Sequence, residues 1–284
     1  MAQCISGLSC LLKLDPLWWR EALGGKRMKL RLRQIAGVAG DLSAVEQQIC
    51  QVLGVEVCYR DKGVAYFGLE NALFPIGNQL LEVVAPIQEG TAGGRYLERR
   101  KGDGGYMVIT QCDDHPPRRA RAEALGVRIV HDNAGESFIN MQLHPRDTGG
   151  TFFEIDQQLG EGANDEDGPW HPAGPNWQRA KRTERVIGIR AAEVQCDDPE
   201  AVARKWAAIA ERIPNEIEGG WSMLLDDAEV RFVACQDGRP EGLGAIDLAV
   251  IDRAAIVEAA SAEGCLVNEW QVMLCGMRMN LVEA

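Results

Sequence analysis

The stretch "QIAGVAGDLSAVEQQICQVLGVEV" (34–57) returns in altered form as "MVITQCDDHPPRRARAEALGVRI" (107–129). Each copy opens with an apolar, strand-like run and reaches an aspartate, Asp41 or Asp114. A helical stretch follows, then Leu-Gly-Val and another short strand. Gly54 and Gly126 lie 72 residues apart, and so do Glu82 and Glu154 in the later segments "QLLEVVAP" and "TFFEIDQQ". A fixed period of this kind marks a repeated supersecondary unit.

The pattern occurs twice more. "QCDD" at 111–114 is repeated at 195–198, before "PEAVARKWAAIAERI". There Val202, Trp206, Ile209 and Ile213 fall at helical spacing. The fourth copy is "IDLAVIDRAAIVEAASAEGCLV" (246–267), with Asp252 and Gly264 in the expected places. Each helix is introduced by Asp, a favoured N-cap. Each unit reads as strand, helix and about three strands. The fold class is therefore α+β: four βαβββ modules in two pairs, each pair a half-barrel cup of mixed sheet with helices outside. The first pair spans 28–158 and the second 184–284. Between them, "LGEGANDEDGPWHPAGPNWQRAKRT" (159–183) has the Gly, Pro, Asp and Asn content of a linker. Residues 1–27 read as a poorly packed extension. They lack the positive start and A-x-A site of a signal peptide.

With 284 residues and 46% hydrophobic content, the chain has ample material for a core. Its net charge of −12 argues against a general nucleic-acid partner. No apolar run approaches the ~20 residues of a membrane span. The nine cysteines are scattered without a C-x-x-C pair, as expected of reduced core thiols in a cytoplasmic protein.

"HPRDTGGTFFEID" (144–156) puts Glu154 among Phe152, Phe153 and Ile155. A lone buried charge is costly. Glu82, in "LLEVVAP", has the same apolar setting. Apolar neighbours on both sides imply that both sheet faces are covered, so the two glutamates are expected to face one cup. A pair of that kind suits proton transfer, with one group as a base.

The segments "LRQIAGVAGDL", "ENALFPIGNQLLEVVAP" and "LHPRDTGGTFFEID" resemble the vicinal oxygen chelate superfamily, which includes glyoxalase I, methylmalonyl-CoA epimerase, extradiol dioxygenases and bleomycin-resistance proteins. In its metal-using members, each unit supplies ligands from its first and last strands. The resemblance implies Gln34, Glu82 and Glu154 as metal ligands, with Glu82 and Glu154 also catalytic. The implied ion is divalent: Mn, Ni, Zn, Mg or Fe. The fourth ligand position falls on Met107, where a His is usual. A thioether is a poor partner for such an ion, so Met107 is read as core or as lining for an apolar substrate. His144 is a candidate to lean into the cup. In the second pair the corresponding positions fall near Ala191, Ile246, Arg231 or Phe232, and Asn280, none of them a His or carboxylate. That pair is expected to be degenerate.

Other candidates lie outside the repeat. "GTAGGRYLERRKGDGG" (90–105) holds Arg95, Arg99, Arg100 and Lys101, and Arg95 is a candidate for an anionic substrate group. No phosphate-loop signature is present. "GPWHPAGPNW" (168–177) reads as a linker that buries its tryptophans, or as a flap over the cup's mouth. The expectation is a metal-dependent lyase or isomerase that moves a proton on a small 2-oxo acid, hydroxy acid or thioester, as a monomer or homodimer. The rival is a metal-free small-molecule binding or resistance protein. Ring-cleaving dioxygenation ranks lower, because two His and one carboxylate are not found at the strand positions.

Overall fold

Strand β1 (Leu30–Val38) is buried almost throughout, its Arg33 and Gln34 included, and ends at a turn where Asp41 stops the sheet and starts a helix. The structure is a computed structural model that describes residues 29–284, so the expected extension at 1–27 lies outside the described residues. Helix α1 (Leu42–Leu53) is capped by the Asp41 side chain, which accepts from the Ala44 N–H. It closes on Gly54 in a left-handed conformation. Then come β2 (Leu69–Ile76) and β3 (Gln79–Pro86). The remaining strand of this unit is reduced to one bridge, Tyr59 to Leu73, beside a short turn at Lys62–Phe67.

A helix, α2 (Ala92–Arg100), leads to the second unit: β4 (Gly104–Cys112), α3 (Pro116–Ala124), β5 (Ile129–Ala134), β6 (Phe138–Leu143) and β7 (Phe152–Gln158). The third comprises β8 (Val186–Gln195), α4 (Pro199–Ala210), β9 (Pro214–Ile217), β10 (Gly220–Leu224) and β11 (Glu229–Val233). The fourth comprises β12 (Gly242–Val250), α5 (Arg253–Ala262), β13 (Leu266–Asn268), β14 (Gln271–Leu274) and β15 (Met277–Glu283).

Two helix details differ from the sequence reading. Asp198 and Asp252 cap α4 and α5 through their side chains, as expected. At α3 the cap falls on His115, which makes no side-chain cap bond. The two prolines that follow take the first helical positions, where no N–H is required. In the third unit, α4 stops at Ala210, because Glu211 adopts a left-handed conformation. Ile213 therefore lies beyond the helix and is largely exposed.

In every unit the first strand runs parallel to the last: β1 with β3, β4 with β7, β8 with β11, and β12 with β15. First strands then pair antiparallel, β1 with β4 and β8 with β12. Each pair is thus two βαβββ units back to back in a mixed sheet that does not close. The two sheets meet where Leu243 of β12 pairs with Gly105 of β4. A Cβ on Gly105 would lie 2.6 Å from the Leu243 carbonyl oxygen, so this seam requires glycine.

The side facing the helices holds one continuous core drawn from both pairs. At its centre the Trp206 ring stacks on Phe153 at 4.0 Å and meets Phe232 edge-on. Its indole N–H donates to the Thr148 carbonyl, which removes the cost of burying that polar tip. A second core covers the opposite face of the first pair. That face is the cup.

Candidate functional site

Strand register places the cup residues. Gln34 is opposite Leu80 and Ile109, and Ile109 is opposite Glu154. One row along, Ala36 is opposite Glu82 and Met107. Residues two apart on a strand share a face, so Gln34, Glu82, Met107 and Glu154 all line the cup. Asp156 shares the face of Glu154 by the same rule.

Glu82 is 7% exposed, and each of its oxygens accepts from an amide: Asn71 Nδ2 at 2.6 Å and Gln34 Nε2 at 2.8 Å. Burial pushes its carboxyl up to about 7. The two donors oppose that shift, and the nearby charge of Glu154 adds to it. Glu154 (4% exposed) accepts from Asn140 Nδ2 at 2.8 Å, and the same amide reaches the fully buried Asp156 at 3.3 Å. Burial raises both carboxyls, and the neighbouring charge of Glu154 raises Asp156 further. Glu154 Oε2 and Asp156 Oδ2 are buried without a hydrogen-bond partner.

The linker closes this face. Trp170 and Trp177, each 1% exposed, pack with Ala173 against Leu73, Leu80, Met107, Ile109 and Phe138. The Trp170 indole N–H donates to Gln34 Oε1 at 2.8 Å. The fully buried Arg33 guanidinium stacks on both rings, 5.5 Å from Trp170 and 5.1 Å from Trp177. It also donates to the carbonyls of Gly168, Glu166 and Asn78. Gly174 lies against Tyr59, where a Cβ would sit 2.4 Å from the ring, and its φ of +69° suits glycine. The tryptophans of 168–177 are thus buried against the face that carries Gln34 and Met107.

The second pair is built differently. Asp247, not Ile246, is the residue opposite Asn280 and Ala191, and Glu193 is opposite Arg231. Carboxylates therefore do stand at its cup positions, against the expectation of none. Arg231 makes a bidentate pair with Asp247 at 2.6 and 2.8 Å. Arg278 donates to Glu193 at 2.6 Å, and Asn280 donates to Asp247 at 2.7 Å.

Gln34, Glu82, Glu154 and Met107 do converge, but their donors do not make a metal centre. Among the described residues, no group of three or more His, Cys, Asp and Glu is placed to hold an ion. The Gln34 oxygen is taken by an indole N–H and its NH2 faces Glu82. Met107 supplies only a soft sulfur. The set does not fit a divalent cation. The remaining candidates lie elsewhere. Arg95 is exposed on α2 and donates to the Gly90 carbonyl. His144 is half-buried at the turn Pro145–Asp147, where its Nδ1 accepts from the Arg146 N–H. Sequence reading missed Asp156, Asn71 and Asn140. Strand alternation from Glu154 would have found Asp156. The two asparagines lie on neighbouring strands whose register the sequence does not carry.

An open mixed sheet of paired βαβββ units with this cup defines the vicinal oxygen chelate class. The model of the glyoxalase-like domain family matches residues 35–210, more than half of the chain, and the chain belongs to that family. It is 26% identical over 133 residues to the ethylmalonyl-CoA/methylmalonyl-CoA epimerase of Cereibacter sphaeroides, a match covering 45% of this chain and 97% of that protein. Among solved structures, a mutant 4-hydroxymandelate synthase from Streptomyces coelicolor aligns with a TM-score of 0.59 at 13% identity, over 84% of this chain and 76% of the other. Methylmalonyl-CoA epimerase from Mycobacterium tuberculosis aligns with a TM-score of 0.41 at 21% identity, over 46% and 89%. No helix among the described residues is long and apolar enough to cross a membrane.

Proposed function

We propose that the cup of residues 28–158 is the active site of a proton-transfer enzyme, an isomerase or lyase acting at a carbon next to a carbonyl. The second pair, 184–284, supports it. The observation that carries this reading is the convergence of Glu82, Glu154 and Asp156. These three carboxyls are buried on one face, and their hydrogen-bond partners among the described residues are side-chain amides and a backbone N–H. Burial raises the proton affinity of all three, bringing Glu82 to about 7, and abstraction and return of an α-proton require groups tuned in this way. Glu82 is the base. The Glu154–Asp156 pair, which burial pushes toward the protonated form, is the acid on the other side. Asn71 and Gln34 hold Glu82 in one orientation.

An acyl thioester or a 2-oxo or hydroxy acid fits this chemistry, because a carbonyl acidifies the neighbouring C–H. The kinship with a CoA-thioester epimerase supports the thioester as the first choice. The seven described cysteines are free, in keeping with a reducing, cytoplasmic setting. The test is deuterium incorporation at the α-carbon in D2O, followed by NMR, with methylmalonyl-CoA, a simple acyl-CoA and a 2-oxo acid as substrates. Exchange that disappears in Glu82→Gln is expected. Equal exchange in Glu82→Gln and the unaltered protein would overturn the assignment.

A second reading, capture of an apolar or aromatic ligand without chemistry, is favoured by the two tryptophan rings that fill the cup. It predicts ligand-dependent stabilisation with no exchange.

A further inference from the structure

The hydrogen-bond chain Trp170–Gln34–Glu82–Asn71 carries an inference that does not depend on the reaction. An indole N–H can only donate. Trp170 Nε1 lies 2.8 Å from Gln34 Oε1 in a buried setting, so the carbonyl end of that amide must face the linker. Its NH2 then points at Glu82 Oε2, also at 2.8 Å. Turning the amide over would set NH2 against the indole N–H and leave two buried donors facing each other, at a cost of about 1–3 kcal/mol for each unsatisfied group. The other Glu82 oxygen is met by Asn71 Nδ2 at 2.6 Å. Two amide donors therefore meet this carboxylate where a cation would otherwise sit. Met107, across Ala36 from Glu82, adds no hard donor.

We propose that Trp170 is a positioning residue which closes the first cup to divalent cations: it fixes the Gln34 amide with its N–H toward Glu82 and so makes the cup a hydrogen-bonded carboxyl site. The ring arrives from the linker, 136 residues along the chain from Gln34. The residues of the sheet do not by themselves decide whether the cup takes a cation. The linker decides it.

The consequence is a reversible one. Trp170→Phe keeps an aromatic ring in place and deletes only the indole N–H, which frees Gln34 to turn its oxygen toward Glu82. Met107→His then adds an imidazole on the same face. The experiment uses the full chain, stripped with chelator and then exposed to Mn, Co, Ni or Zn at about 1 mM. It reads bound metal by elemental analysis, the shift in Tm, and the visible absorption of Co. The unaltered protein is expected to hold no stoichiometric metal and to show no shift in Tm. The Trp170→Phe/Met107→His double variant is expected to take up one equivalent, with a rise of several degrees and a Co band.

One equivalent of metal in the unaltered protein, lost in Glu82→Gln, overturns the proposal. So does a folded double variant that binds nothing. If the double variant fails to fold, Gln34→Glu supplies a second route. A carboxylate at position 34 still accepts from Trp170 and sets two acids side by side, which should create metal uptake. Its failure to do so, in a folded protein, likewise overturns the proposal.

Discussion

The two cups of this molecule place polar groups at matching positions in the register and satisfy them in opposite ways. In the first, Glu82 lies opposite Ala36 and Glu154 opposite Ile109. In the second, Arg231 lies opposite Glu193 and Asn280 opposite Asp247. The first cup buries its carboxyls under tryptophans and gives them amides, so burial lifts their affinity for protons. The second pairs its carboxylates with Arg231 and Arg278, although Asp247 is about as buried as Glu82. Desolvation without a cation makes a proton-handling site. A paired cation makes a structural strut.

Substitutions that strike one cup and spare the other sharpen this contrast. The largest effect is expected on chemistry. Glu82→Gln should lower α-proton exchange by about 100-fold or more, whereas Glu193→Gln in the other cup should leave it within about twofold. NMR exchange rates of both variants decide the matter, and similar losses in both would break the contrast. Next comes packing. Trp170→Ala should cost about 3–5 kcal/mol in urea unfolding. Trp270→Ala should cost under about 1 kcal/mol, because that ring is 44% exposed in the second pair and carries only a stacked Arg253.

The third effect is on pH dependence. Glu82 is raised from the ordinary 4.5 to about 7 in the folded protein, so the native state binds its proton more tightly than the unfolded chain. Its contribution to stability is fully present below about 4.5 and is lost as pH rises to about 7. Stability should thus fall from pH 5 to pH 8 by an extra amount on the order of 1–3 kcal/mol that Glu82→Gln removes. Denaturant titrations at both pH values, on both proteins, measure the difference. A slope unchanged by Glu82→Gln would rule out a proton-retaining Glu82. The smallest effect concerns the ion pairs. Arg231→Ala strands the 8% exposed Asp247 and should cost about 2 kcal/mol. Removing the exposed helical pair with Arg204→Ala should cost about 0.5 kcal/mol or less.

Much of this architecture is legible in the sequence because it repeats. The 72-residue spacing of Glu82 and Glu154 and the recurring Asp–helix–Gly pattern locate the units. The parallel pairing of first and last strands agrees with the fold class they imply. What the repeat cannot carry is one-residue register. On β12 it is Asp247, not Ile246, that stands opposite Ala191 and Asn280, and only the strand pairing shows this. Nor could the amide partners be read ahead. Asn71 and Asn140 matter only because their strands lie beside Glu82 and Glu154. The linker was legible in composition but not in destination, since nothing local in "GPWHPAGPNW" says which face its rings will cover.

That destination has a thermodynamic consequence for any ligand of the first cup. The occupant of the cup is tethered, so it is present at a local concentration that dilution cannot lower. An incoming molecule would have to displace Trp170 and Trp177, and would be bound only by the fraction of molecules in which they had moved away. Its apparent dissociation constant is the intrinsic one divided by that fraction. A cup open in about 1% of molecules would weaken binding about 100-fold, or about 2.7 kcal/mol. The Gly- and Pro-rich segment that carries the two rings would then set part of that affinity from outside the cup.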